Sequence, residues 1–348
     1  MIGLGVFFVG VAALARFYAY PTLAVAPADQ TAHTVSAGRG ATIFSIAELK
    51  EKGGVELEAR RTVRGDVAAA EKISKALDRK VVVFDTAVVT DDSKNYQFPD
   101  DASKTDEMPL SFVQERVVLD AHTGEAVRWN PSGDDNSGEY IATTLEKTDR
   151  LKPDQNSPLF KGHEGLVLKF PFGTEKKTYK FWDSTLRKAF PIQFKEETTL
   201  EGGLKVYVFE QEVPKQEVPL AKPLMVPGPL VDEPGRDAVA VQRTYKNTRT
   251  LWIEPITGAI IKGQEKQHAT IAYNGEDKLT ATQVTIAYDA ATVTKNVKGA
   301  TENGVAEGGY QSKAAQLNLI GFWVPLGAMV VGLLLFGFVG FRQWRSRT

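Results

Sequence analysis

The sequence predicts an α+β chain dominated by antiparallel sheet, as a curved sheet or barrel-like lobes, flanked by N- and C-terminal transmembrane helices. Three observations predict it. Long uncharged runs stand at both ends of the 348 residues. Between them, short β-branched and aromatic runs are punctuated by Gly, Pro, Asn and Asp, which is the pattern of strands joined by turns. Helical periodicity is thin over the same stretch.

The terminal runs come first because they set the topology. Residues 319–341 (LIGFWVPLGAMVVGLLLFGFVGF) hold 23 residues without a charge, and about 20 apolar residues span a bilayer core. Residues 1–15 (MIGLGVFFVGVAALA) are also uncharged and are closed by Arg16, Phe17, Tyr18 and Tyr20. Arg16 can snorkel and the aromatic rings suit an interfacial belt, so this segment reads as an uncleaved anchor. A cleaved signal ending at Ala24–Ala26 is the alternative, although no basic residue precedes the apolar run. Arg342, Arg345 and Arg347 follow the second run directly, and by the positive-inside rule they place both termini in the cytoplasm. The bulk of the chain is then extracytoplasmic, attached to the plasma membrane.

Along the outer part, strands are expected at residues 81–85, 117–119, 165–170, 204–209 and 270–273. Residues 66–77 (DVAAAEKISKAL) read as a helix capped by Asp66. Residues 43–50 suggest a short second helix. Residues 289–316 suggest a membrane-proximal one, weakened by Gly299, Gly304, Gly308 and Gly309. A turn motif recurs at 119–127 (LDAHTGEAV) and 253–261 (IEPITGAII), with a degenerate copy at 182–186. In each, the acid can accept from its own turn backbone, and in the two full copies glycine supplies the positive φ that returns the chain. Six prolines between 214 and 234 make that stretch an extended crossover, or a flap over a cavity mouth. The expected division is a helix at 1–20, a β-rich lobe with short helices at 21–158, and an antiparallel lobe at 159–290 with the Pro-rich crossover at 213–234. A linker or helix at 291–317, a helix at 318–341 and a basic tail at 342–348 complete it.

Composition removes several function classes. With 42 Lys and Arg against 43 Asp and Glu, a nucleic-acid partner is not expected. The absence of Cys excludes disulfides, thiolate metal sites and thiol nucleophiles. No nucleophile elbow, P-loop or zinc-protease motif is present. His33, His122, His163 and His268 stand singly, so no metal and no cofactor are expected. The oxygen-rich residues 134–139 (DDNSGE) read as a polar loop before a Ca²⁺ loop. A barrel through lipid needs strands of about 9–11 residues with an unbroken apolar outer band. Residues 169–182 place their charges too irregularly for that. Aromatic residues crowd between 170 and 194: Phe170, Phe172, Tyr179, Phe181, Trp182, Phe190 and Phe194. With Trp252 these are the candidates to line an apolar cavity, with simple core packing as the other reading.

Three segments carry a resemblance: residues 16–27 (RFYAYPTLAVAP), 169–183 (KFPFGTEKKTYKFWD) and 247–265 (NTRTLWIEPITGAIIKGQE). With these the chain resembles actinobacterial envelope proteins of unknown function grouped as a PorA family. The resemblance implies two terminal membrane helices around a large extracytoplasmic domain, and some members are associated with maturation of lipomannan into lipoarabinomannan. It supplies no catalytic residues. The 251–258 hairpin alone is also similar to curved-sheet periplasmic lipid carriers, an analogy of fold. The expectation that follows is a non-enzymatic envelope protein whose outer domain binds a membrane lipid or lipid-linked glycan and assists membrane glycosyltransferases. Two alternatives stand beside it. One is a scaffold for such glycosyltransferases. The other is a glycan hydrolase or transferase using carboxylates among Asp120, Asp183, Glu254 and Glu265.

Overall fold

Local chemistry starts the elements. In the computed structural model, which describes residues 1–45, 48–104, 109–129, 140–144, 147–301 and 310–345, Asp66 accepts from the Ala69 amide at 2.9 Å and so caps a helix at Val67–Leu77. The three turn acids behave alike. Asp120 accepts from the amides of His122 and Thr123, Glu254 from those of Ile256 and Thr257, and Asp183 from that of Leu186. Gly124 and Gly258 take positive φ in the two full copies.

In chain order, the elements begin with helices α1 (Ile2–Leu14) and α2 (Tyr20–Leu23), then strands β1 (Thr31–Ser45) and β2 (Lys50–Gly65). Helix α3 (Val67–Leu77) leads to β3 (Val81–Asp92), β4 (Ser111–Asp120), β5 (Tyr140–Thr144) and β6 (Lys147–Leu151). Next come β7 (Tyr179–Asp183), β8 (Lys188–Thr199), β9 (Lys205–Glu217), β10 (Leu224–Val226), β11 (Val239–Glu254), β12 (Ala259–Tyr273) and β13 (Glu276–Tyr288). Helices α4 (Ala290–Thr301), α5 (Tyr310–Asn318) and α6 (Val324–Arg345) close the chain.

All strands join one antiparallel sheet ordered β6-β5-β4-β3-β2-β1-β13-β12-β11-β9-β8-β7, with β10 paired to the start of β11. The sheet curls, and at one rim it is stitched back on itself. Ala126 donates to the Gly165 carbonyl, and Leu166 exchanges hydrogen bonds with the Lys180 carbonyl and the Trp182 amide. Isolated bridges thereby run from Leu119 to Ala126, and from the adjacent Glu125 through Leu166 to Phe181, linking the end of β4 to β7. Aromatic side chains fill the interior just inside this rim, with Phe170, Phe181 and Phe209 in mutual contact.

Where α3, α4 and residues 96–102 do not cover it, the outside of the sheet is polar. Lys195–Glu210 and Lys215–Asp277 pair across it as exposed ion pairs. Such a surface is hydrated and does not face hydrocarbon.

The terminal helices lie together below the stitched rim. A π-helical turn at Ala15–Ala19 joins α1 to α2, and another at Leu319–Trp323 joins α5 to α6. The two rods run antiparallel, because Gly5 sits under the Phe336 ring while Gly321 sits against Tyr20. The absence of a Cβ lets the facing ring approach closely at both places. Most of their apolar surface is outward, with Phe7, Leu14, Leu333 and Leu334 each at least 60% exposed.

Several expectations change. Residues 43–45 close β1 and Lys50 opens β2, so the short helix expected at 43–50 is a strand pair whose Ile43 is buried in the sheet. Residues 165–170 contribute only the bridging Leu166, because that run crosses the rim instead of extending along it. The helix expected at 289–316 is α4 and α5, and residues 302–309 lie outside the described residues, as do the 134–139 loop and Arg347.

Candidate functional site

Strand alternation sends every second side chain inward, and the curl turns those positions into the wall of one cavity of about 600 Å³. Leu57, Ala59 and Arg61 of β2, Thr86, Val88 and Thr90 of β3, and Ser111, Val113 and Glu115 of β4 form one side. Tyr245, Arg249 and Leu251 of β11 and Glu265, Gln267 and Ala269 of β12 form the other. The cavity extends to the rim away from the helices. There the Pro-rich residues 220–227 and Leu230 edge the cavity, and Val226 packs with Val239, Val241 and Ile271.

A buried ion network forms the polar base. The Arg249 guanidinium donates to Glu265 Oε1 at 2.9 Å, to Asp183 Oδ2 at 3.3 Å and to the Trp182 carbonyl at 3.2 Å. Glu265 Oε2 also accepts from Asn247 at 2.9 Å and Gln267 at 2.7 Å. Burial alone would raise the Glu265 pKa, but the Arg249 charge and these hydrogen bonds bring it down to about 2. Asp183 is fully buried, and there burial prevails over Arg249 and raises its pKa.

Glu115 forms a second buried centre. Its Oε1 accepts from Trp182 Nε1 at 2.8 Å and approaches His163 Nε2 at 3.2 Å, while Oε2 accepts from Ser184 Oγ at 2.7 Å. Burial pushes this carboxyl up and the three partners more than offset it, leaving its pKa below the ordinary value. Arg61 differs from both centres. Its charge acts on Glu265 through space, and it makes no hydrogen bond or ion pair among the described residues.

Of the aromatic candidates, Phe181 and Trp182 line the cavity. Phe170, Tyr179 and Phe194 pack with Phe181 around Phe209 and Leu251. Phe172 lies against a neighbouring cluster under the Lys169 ammonium, 4.0 Å from its ring centre. Phe190 packs with Leu186, Val213 and Tyr245, and Trp252 lies on the opposite sheet face with Val293 and Val297 of α4. Asp120 and Glu254 are occupied by their own turns, whereas Asp183 and Glu265 meet at Arg249. Sequence reasoning passed over Arg61, Glu115 and Arg249. Their one signal is a charged residue at an inward position of an otherwise apolar or hydroxyl-bearing strand.

Comparison with known proteins then bears on function. A family model described as Porin PorA matches residues 1–340. Porin PorA of Corynebacterium amycolatum is 23% identical over 330 residues, covering 80% of this chain and 78% of that protein. Porin PorA of Corynebacterium resistens is 28% identical over 145 residues, covering 29% of this chain and 35% of that protein. These names overturn the expectation of a binder of lipid or lipid-linked glycan that assists lipoglycan synthesis, since a porin is a channel former. They are also the names of a non-enzyme. With the match running over nearly the whole length, the chain belongs to the Porin PorA family.

Proposed function

We propose that this protein serves a solute channel of the cell envelope. In this reading its terminal helices cross a membrane and its curled sheet stands in water as a solute-receiving cup. The observation that carries the reading is the cavity of about 600 Å³ inside a sheet whose outer face bears exposed ion pairs. Such a sheet cannot itself face lipid, so the crossing falls to the helices. The rods Ile2–Leu23 and Lys313–Arg345 are long and apolar enough to span, and only 17% and 11% of their most apolar windows are buried. A soluble core helix would be mostly covered. The family name supports the channel reading.

The aromatic fill at the stitched rim gives the cup a floor, so permeation runs beside the sheet and not through it. Channel walls are commonly rings of repeated elements, and two helices per chain leave that wall to several copies. The cytoplasmic position of both termini belongs to the same proposal, since the antiparallel rods put residues 1 and 345 at one end.

The test is conductance of the purified full-length chain in planar bilayers. Discrete current steps that scale with protein added, and are absent for heat-denatured protein, are expected. Folded protein that inserts into the bilayer and passes no current overturns the proposal.

A further inference from the structure

We propose that the cup binds a small organic anion, a carboxylate or phosphate whose acidic group is held by Arg61 and whose apolar part lies under the Pro-rich flap. The inference deepens the channel reading and rests on it only for how a solute reaches the cup.

Arg61 projects from the middle of β2 into the cavity. Glu265 is the acid that acts on it, yet Glu265 is already taken by Arg249, Asn247 and Gln267. The five donors of a guanidinium therefore have no protein acceptor among the described residues. A cation placed this way in a half-enclosed site favours an anion, and its planar fork matches two oxygens of a carboxylate or phosphate.

The neighbours of Arg61 add hydroxyls. Thr34 stands opposite it on β1, and Thr86 lies on the adjacent β3 beside its register partner Val88. The Thr86 Oγ1 is buried and has no hydrogen-bond partner, although buried polar atoms are nearly always satisfied. A bound oxygen would complete it.

The charge of the wall points the same way. Among the described residues the lining carries Arg61, Lys222, Arg243 and Arg249 against Glu115 and Glu265. The chain as a whole has a net charge of −1, so the interior is cationic where the protein is not. Beyond Arg61 the wall turns apolar, through Leu57, Leu110, Leu224 and Ile271 at the flap. A cavity of about 600 Å³ matches ligands of one ring or a short chain with their acidic group.

Isothermal titration of the detergent-solubilised full chain tests this with four probes: benzoate, phenyl phosphate, inorganic phosphate and neutral benzyl alcohol. At least one of the two aryl anions should bind, and inorganic phosphate and benzyl alcohol should each bind at least about tenfold more weakly. Arg61→Gln should weaken the aryl anion by about 10–100-fold, as expected for loss of a charge-assisted pair. Because the guanidinium makes no hydrogen bond in the fold and only pulls on Glu265 through space, the urea midpoint of this variant should stay close to that of the parent, which separates lost binding from lost structure. Arg61→Lys should fall between the two, keeping the charge and losing the fork.

Absence of aryl-anion binding up to about 10 mM, weaker than any built site, overturns the proposal, as does an Arg61→Gln variant with unchanged affinity. Inorganic phosphate binding as tightly as phenyl phosphate overturns the role of the flap. A chain that conducts but binds neither aryl anion loses this inference and keeps the channel. One that binds through Arg61 but never conducts does the reverse.

Discussion

Replacing Arg249 by Met would probe the ion network at the base of the cup. The side chain is only 10% exposed and serves Glu265, Asp183, Gln211 and the Trp182 carbonyl together. Met keeps much of the volume and removes every donor, leaving two acids and two oxygens without their partner. Holding Glu265 at about 2 against an ordinary 4.5 corresponds to roughly 3 kcal/mol of stability at neutral pH. Breaking a buried pair by deleting one member costs about 3–5 kcal/mol, so the two routes agree.

The pH dependence gives the sharper test. In the parent, the Glu265 pKa is lowered by folding, so its contribution is complete above about pH 4.5 and is lost as pH falls toward 2. In Arg249→Met, burial without a counter-ion raises the pKa of both Glu265 and Asp183 above the unfolded value. Their cost is then greatest at high pH and is relieved as protons bind on acidification. The stability gap between parent and variant should be about 3–5 kcal/mol at pH 7 and narrower at pH 5. Urea unfolding followed by tryptophan fluorescence reads both values. A gap below about 1 kcal/mol at pH 7, or one that stays constant or widens toward pH 5, refutes the assignment of Arg249 as the counter-ion of the two acids.

Two further predictions follow from single residues. Gly258 holds φ +75° in the β11–β12 turn, where a Cβ would overlap the Phe170 carbonyl, so Gly258→Ala should lower stability by about 2–4 kcal/mol in the same urea assay. Burial brings the Lys169 pKa down to about 7, with Asp120 opposing it only in part; because folding lowers this pKa, the penalty is full below about pH 7 and fades as pH rises toward 10.5. Lys169→Met should therefore raise the urea midpoint at pH 6, by a free energy on the order of 1–3 kcal/mol, and lose that advantage above about pH 10.

How far the sequence reached depended on the range of the interactions. Asp66 and the acids of the three turns were legible because each bonds an amide two or three residues away. The apolar helices at both ends were legible because a long uncharged run can be read directly from the sequence. Strands β1 and β2 were passed over. They are rich in Gly, Arg and Thr, and their pairing is fixed by partners such as Ser36 with Tyr288, far along the chain.

The closure of the sheet was invisible for a stronger reason. It rests on backbone bonds at Ala126 and Leu166, and a single bridging residue leaves no periodicity to read. Without that closure, the inward position of Arg61 and the commitment of Glu265 to other donors had no meaning in the sequence. The aromatic run drew attention instead, yet most of its rings fill the floor, and only Phe181 and Trp182 reach the cavity.

The charged outer face bears directly on how a member of this family can act. The outside of the curled sheet carries ion pairs such as Lys195–Glu210 and Lys215–Asp277. In the proposed channel the work is divided, with the hydrophobic rods meeting the lipid and the sheet meeting the solute. The features that select solutes should then lie inside the cup, where Arg61 is held by three strands and no protein acid claims its donors.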